Sequence, residues 1–169
     1  FDVAAQLQNP DEADSVEDLS DLLRDSVAHH FVADVPVGVF LSSGLDSASL
    51  VGLASELQGA GLDTLTLGFD EFRGTPNDEV PLAEEIAQIY GARQHTVRVA
   101  GADFAQDIND LLNVMDQPSV DGVNTYFVAK AAVQEGLKVA ISGLGGDELF
   151  AGYNTFSQVP SLVNGIGSI

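Results

Sequence analysis

Two stretches of this sequence place small residues and carboxylates at the same kind of position. Ser42, Ser43, Gly44, Leu45, Asp46 and Ser47 follow an apolar run and precede a helical pattern. Ser142, Gly143, Leu144, Gly145, Gly146, Asp147 and Glu148 repeat that arrangement later in the chain. A turn built from small residues lets backbone N–H groups approach an anion closely, and the helix N-terminus behind it adds a favourable dipole. The hydroxyls of Ser42, Ser43 and Ser47 are further donors. Neither the lysine of a Walker loop nor the spacing GxGxxG is present. Asp46 is the odd member, because a carboxylate beside phosphates is unfavourable unless Mg2+ lies between them. Taken singly, Asp46 reads as a helix cap, and Asp147 and Glu148 read as acids that complement a helix dipole. Taken together, Asp46 and Asp147 offer two of the hard oxygen ligands that Mg2+ prefers, with phosphate oxygens for the rest. The joint reading is the stronger one.

Both turns need strands beneath them. Residues 1–18 are polar and acidic and read as a lead-in or linker. Helical spacing starts with Ser20 as cap and runs through Leu22, Leu23, Val27 and Phe31, and Pro36 excludes its continuation. Val37 to Leu41 is a short apolar run, the mark of a strand buried on both faces. A helix on Leu50, Val51, Ala54 and Leu57 follows, closed by Gly59 and Gly61. The cycle continues with a strand over Thr64–Phe69, a helix over Glu79–Tyr90 stopped by Gly91, and a strand over Gln94–Val99. Helices over Asp103–Met115 and Thr125–Gln134 and a strand over Leu137–Ser142 complete it. Such alternation predicts an α/β fold, a twisted parallel sheet with helices on both faces. Ligands in such sheets sit beyond the strand C-termini at the topological switch point, where both small-residue turns fall.

Composition narrows the chemistry further. The 169 residues carry 6 Lys plus Arg against 26 Asp plus Glu, a formal net charge of -20. Nucleic acid as a partner is disfavoured, since its binding needs Lys and Arg to displace counterions. A mixed-charge surface is not available, and the acidity reads as a solvated face, with a high-salt habitat as the lesser alternative. Hydrophobic residues make up 45%, enough for a core. Cysteine is absent, which removes disulfides, thiolate zinc sites and cysteine nucleophiles. No apolar run approaches a membrane span and no signal-peptide pattern opens the chain, so a cytoplasmic protein without membrane contact is expected. The missing initiator Met suggests an excised piece. His29, His30 and His95 have no ligand spacing with one another.

The stretch 34–47 resembles the pyrophosphate-binding loop, SGGxDS, of the asparagine synthetases, and 142–153 resembles their second signature. The resemblance runs from about Leu22 to Pro160. It implies an adenine-nucleotide α-hydrolase-like (PP-loop ATP pyrophosphatase) fold in residues 19–169, as the ATP-binding synthetase part of a longer protein. It also implies a glutaminase domain elsewhere that supplies ammonia. By that resemblance ATP adenylates a small carboxylate such as aspartate, pyrophosphate leaves, and ammonia gives the amide; a homodimer is compatible with it. The loop from Ser42 to Ser47 is then expected to hold pyrophosphate, including Ser43, Gly44 and Leu45. Leu41 and Leu67, with Ser142 and Gly143, are expected to hold adenosine. Asp46 and Asp147 are expected to ligate Mg2+ and, with Glu148, to serve catalysis. Tyr126 and Tyr153 are weaker candidates for the pocket lining.

Two departures stand out. Ser43 takes the place of a glycine, and Leu144 takes the place of a glutamate found in many of these enzymes, as in SGEGxDE. The arginine-bearing loop of the family is replaced by residues 121–124. Adenylation is the expected chemistry, and aspartate as the acceptor is the open point. The alternatives are a different PP-loop ATP pyrophosphatase with another acceptor, or a nucleotide-binding module without catalysis. Leu144 is expected either to point toward the acceptor site or to pack beneath the loop, with a carboxylate from a later part of the protein doing the acid–base work.

Overall fold

The apolar run at Val37 becomes an interior strand because neither of its faces can meet water. In the computed structural model, which describes residues 16–159 apart from 60, 118, 151 and 157, the chain divides at Asp34 into two compact units. The lead-in of residues 1–18 falls mostly outside the described residues. The first unit contains α1 (Val16–His30). This helix begins before Ser20, whose hydroxyl accepts from Arg24 Nη1 at 3.3 Å rather than capping the backbone. His29 and His30 lie at its exposed end, each within 2.8 Å of a carbonyl one turn back.

The second unit holds the sheet. Its strands are β1 (Val37–Phe40), β2 (Asp63–Phe69), β3 (Arg93–Val99) and β4 (Val139–Ile141), all parallel in the order β3-β2-β1-β4. The helices are α2 (Leu45–Gln58), α3 (Val80–Ile89), α4 (Gly101–Val114), α5 (Val120–Gln134) and α6 (Gly146–Phe150). From β1 the chain moves outward through β2 to β3, then returns to place β4 on the other side of β1. The switch point is therefore between β1 and β4.

Period-two alternation in β2 sends its residues to different cores. Leu65 joins Ala131 and Ala132 of α5, with Leu67, Val97 and Val128 packed around them. Thr64 and Thr66 face the other way and are fully buried, at 0% and 1% exposed. On that face α3 packs against β2 and β3, and α2 against β1. Helices thus cover both faces. Glycine stops two of them as expected: Gly91 and Gly136 have φ of 66° and 77°. Across them, Ala92 N–H donates to Ala87 O and Leu137 N–H to Ala132 O, both at 2.9 Å, in the αL termination that glycine favours.

Two further boundaries near the site differ from the sequence reading. Helix α5 starts at Val120 instead of Thr125, because the Ser119 hydroxyl accepts the Gly122 N–H at 3.2 Å and caps it. Residues 121–124 are therefore helical. Strand β4 is shorter than 137–142, since Leu137 closes the preceding helix and its side chain reaches the position of Gly38.

Candidate functional site

The first small-residue turn is a closed hydrogen-bonded unit. Ser47 is 6% exposed, and its Oγ accepts from Ser42 N–H at 3.1 Å while lying within 3.2 Å of the carbonyls of Ser42 and Gly44. Ser42 Oγ lies 2.9 Å from Ser47 Oγ and accepts the Gly44 N–H at 3.1 Å. Ser42 and Ser47 therefore shape the loop, and their hydroxyls are already engaged. What the loop offers outward is backbone. Gly44 caps α2 with no side-chain hydrogen bond, and the N–H groups of Leu45, Asp46 and Ser47 in the first turn have no intrahelical acceptor. The loop base is fixed from below: Leu41 N–H donates to Leu65 O at 2.9 Å, and Leu41 O accepts the Thr66 hydroxyl at 2.7 Å. Leu41 is 2% exposed, so it acts as floor, with its backbone groups held by the sheet.

The second turn lies directly against the first. A Cβ at Gly143 would sit 3.2 Å from Asp46 Cβ and from Ser47 N, and one at Gly146 would overlap the Asp46 carboxylate. These two glycines allow the turns to interlock across the switch point. Gly145 takes φ 96° between them, where a side chain would be strained. Ser142 Oγ accepts the Leu144 N–H at 3.3 Å.

A cavity of about 800 Å³ opens over both turns. It brings together Leu41, Ser42, Gly44, Leu45, Asp46, Ser47, Leu67, Ser142, Gly143 and Asp147 from the sequence-based set. Ser43 and Glu148 are not part of its wall. Glu148 instead accepts the Tyr153 hydroxyl at 3.0 Å, and that bond raises the tyrosine pKa. Tyr153 and Tyr126 do not line the cavity either; Tyr126 packs edge-on against Phe127. Leu144 is 84% exposed and lies on the cavity wall, outside the core. Sequence reasoning missed the opposite wall: Phe72, Asn77, Asp78 and Glu79 after β2, and Asp121, Asn124 and Thr125 on α5. Residues 121–124 entered the sequence reading only as the replacement of an arginine-bearing loop, and the Ser119 cap was the signal that puts Asp121 and Asn124 on a helix.

Five acidic residues, Asp46, Asp78, Glu79, Asp121 and Asp147, contribute to the cavity wall, with no lysine or arginine among the described lining residues. A polyphosphate would meet net repulsion there without added cations. No cluster of three His, Cys, Asp or Glu among the described residues forms a metal cage. Asp46 and Asp147 carry the donor type that Mg2+ takes, since it keeps several waters and uses one or two carboxylates with substrate phosphates.

The asparagine synthase family model matches residues 18–166. The chain belongs to the asparagine synthase family. It is 36% identical to asparagine synthetase [glutamine-hydrolyzing] 1 of Bacillus subtilis over 149 residues, covering 87% of this chain and 23% of that protein. It is 31% identical over 160 residues to the amidase chyE of Penicillium rubens, covering 86% and 24%. The chain thus spans about a quarter of the length of these relatives. An NH3-dependent NAD synthetase from Campylobacter jejuni has the same fold, with TM-score 0.54 and 11% identity, over 83% of this chain and 62% of that one. The fold is the PP-loop, adenine-nucleotide α-hydrolase type. Within this asparagine synthase domain the interlocked turns are the 42–47 loop and the second signature.

Proposed function

We propose that this domain binds Mg-ATP at the switch point and forms an amide through an adenylated carboxylate. The observation that carries the reading is the interlock of two turns. It sets the open N–H groups of α2 beside Asp46, with Asp147 one residue beyond Gly146. In this reading the Gly44–Ser47 backbone holds the pyrophosphate part of ATP, while Ser43, off the cavity wall, belongs to the loop that presents it. Leu41 and Leu67 wall the base, and Ser142 and Gly143 border the ribose. Asp46 and Asp147 hold Mg2+, which offsets phosphate charge in the acidic cavity. An acceptor carboxylate oxygen attacks the α-phosphorus, the α–β phosphoanhydride bond breaks, and pyrophosphate departs. Ammonia nitrogen then attacks the acyl carbon, AMP leaves, and the amine proton passes to a base. Leu144 cannot be that base, since leucine neither takes a proton nor accepts a hydrogen bond. Its exposed apolar side chain on the wall favours an acceptor less polar than free aspartate. Similarity to both asparagine synthetases and amidases supports amide chemistry with the acceptor unassigned.

Glutamine as ammonia source requires a separate glutaminase domain, as this chain has no cysteine. No described helix is long and apolar enough to cross a membrane, and a cytoplasmic location with a homodimeric assembly belongs to this proposal. The test is exchange of labelled pyrophosphate into ATP by the full-length protein over a panel of carboxylates. Exchange that depends on both Mg2+ and one class of carboxylate is expected. Exchange with none of them, alongside intact ATP binding, would leave only a nucleotide-binding module.

A further inference from the structure

The segment between β2 and α3 supplies Phe72, Asn77, Asp78 and Glu79 to the cavity, so whatever holds that segment holds one wall of the site. Asp78 holds it. Its Oδ2 accepts the Gly74 N–H at 3.0 Å and its Oδ1 accepts the Val80 N–H at 3.3 Å, joining the turn to the start of α3. Both oxygens also accept from Nη2 of Arg98, at 3.4 and 3.3 Å. The Asp78 side chain is 4% exposed, so this carboxylate braces the wall from behind while Asn77 and Glu79 beside it are exposed. The Gly74 N–H, then Arg98 and the Val80 N–H, outweigh burial and keep the Asp78 carboxyl below the usual range.

Arg98 reaches Asp78 because a glycine faces it. It pairs in register with Gly68 of β2, where a Cβ would stand 3.4 Å from Arg98 Cγ and Nη1 and 2.6 Å from Val80 Cγ2. Gly68 itself lines the cavity. Arg98 Nη1 is buried with no hydrogen-bond partner among the described residues. A buried donor left unpaired opposes folding, and the Nη2 contacts to Asp78 work against that cost. Arg98 lies behind the wall of a cavity whose described lining has no cation of its own.

We propose that Arg98 is a positioning residue for nucleotide binding: through Asp78 it sets Asn77 and Glu79 in the cavity wall, and it contributes to affinity rather than to the chemical step. The proposal rests on the reading that the cavity takes Mg-ATP. Its test is calorimetric titration of the full-length protein with Mg-ATP, together with steady-state kinetics. Arg98→Met should weaken Mg-ATP binding about tenfold, the effect of losing one buried charge-assisted contact. Its kcat at saturating ATP should stay within about twofold of the unmodified protein, which separates binding from chemistry. Arg98→Lys should recover part of the loss, since a point charge reaches Asp78 without the guanidinium fork. Asp78→Asn should reproduce the defect, and the double variant should be no worse than the weaker single one. Reduced thermal stability with unchanged Mg-ATP affinity in Arg98→Met would overturn the proposal, as would additive losses in the double variant. Failure of the unmodified protein to bind Mg-ATP would instead remove the functional reading on which it rests.

Discussion

Asp46 and Leu144 are the two side chains whose chemistry the sequence poses most sharply. Asp46 has room only because residue 146 lacks a Cβ. Gly146→Ala should displace that carboxylate, costing about 1–3 kcal/mol in stability as an overpacked contact and lowering Mg-ATP affinity in the folded fraction. Urea unfolding and ATP titration of the variant check both effects; unchanged ATP affinity would detach Asp46 from the nucleotide. Leu144 poses the acceptor question. If its apolar side chain selects the acceptor, Leu144→Glu should raise aspartate-dependent pyrophosphate exchange while leaving Mg-ATP affinity within about twofold. Robust aspartate-dependent exchange in the unmodified protein would defeat that idea. The position of Asp46 was legible because a lone carboxylate in a small-residue turn is anomalous. The enclosed role of Ser47 was not, since a serine hydroxyl reads the same whether it faces a ligand or closes its own loop.

Among the elements, β2 shows what a one-dimensional reading can and cannot see. Its span was legible from β-branched and apolar residues between turn signals, yet the alternation of Thr64 and Thr66 with Leu65 and Leu67 carried a further message. Thr66 accepts from Gln94 Nε2 at 2.7 Å and donates to Leu41 O, so a buried chain ties the edge strand β3 to the base of the 42–47 loop. Gln94 is far from Thr66 in sequence, and only strand pairing reveals the link. Thr66→Val leaves Gln94 and Leu41 O short of partners and should cost about 1–3 kcal/mol. A denaturation midpoint equal to that of the unmodified chain would show the link to be dispensable. The start of α5 was misplaced for a related reason: Gly122 and Asn124 are poor helix formers, but the Ser119 cap outweighs them. That extension carries Asp121 and Asn124 into the cavity wall.

For the molecule as a whole, a charge of -20 sets a background of self-repulsion. One ion cluster stands against it at the end of the sheet remote from the cavity. His95 lies 2.8 Å from both Asp63 and Glu135, and Arg93 Nε donates to Asp63 at 2.6 Å. The Asp63 hydrogen bond raises the His95 pKa above its ordinary 6.5, with burial opposing and Glu135 adding to the rise. Burial would raise the Asp63 carboxyl, but the His95 and Arg93 bonds together hold it below 3.8. A raised histidine contributes stability below its unfolded pKa and loses it as pH climbs through the folded value. A lowered carboxyl contributes above its unfolded pKa and loses it as pH falls through the folded value. The cluster therefore works best between about pH 4 and 6.5. The stability difference between the unmodified chain and His95→Gln should shrink from pH 6 to pH 8 by no more than about 1 kcal/mol, as suits a partly exposed cluster screened by solvent. Urea midpoints at the two pH values measure it, and a difference that does not change would remove the cluster's role. At this scale the parallel sheet and its switch point were legible from strand–helix alternation, whereas the cluster was not, because His95 meets Asp63 and Glu135 only through strand register and helix packing. In the proposed function the switch-point cavity binds Mg-ATP through the 42–47 loop and the two aspartates. Its most direct test is calorimetric ATP titration of the full-length protein, with and without Mg2+, beside Asp46→Asn. The expected result is Mg2+-dependent binding that weakens at least about tenfold, or 1.4 kcal/mol, in the variant while its unfolding midpoint barely moves. Equal affinity with and without Mg2+, or equal affinity in the variant, would contradict it.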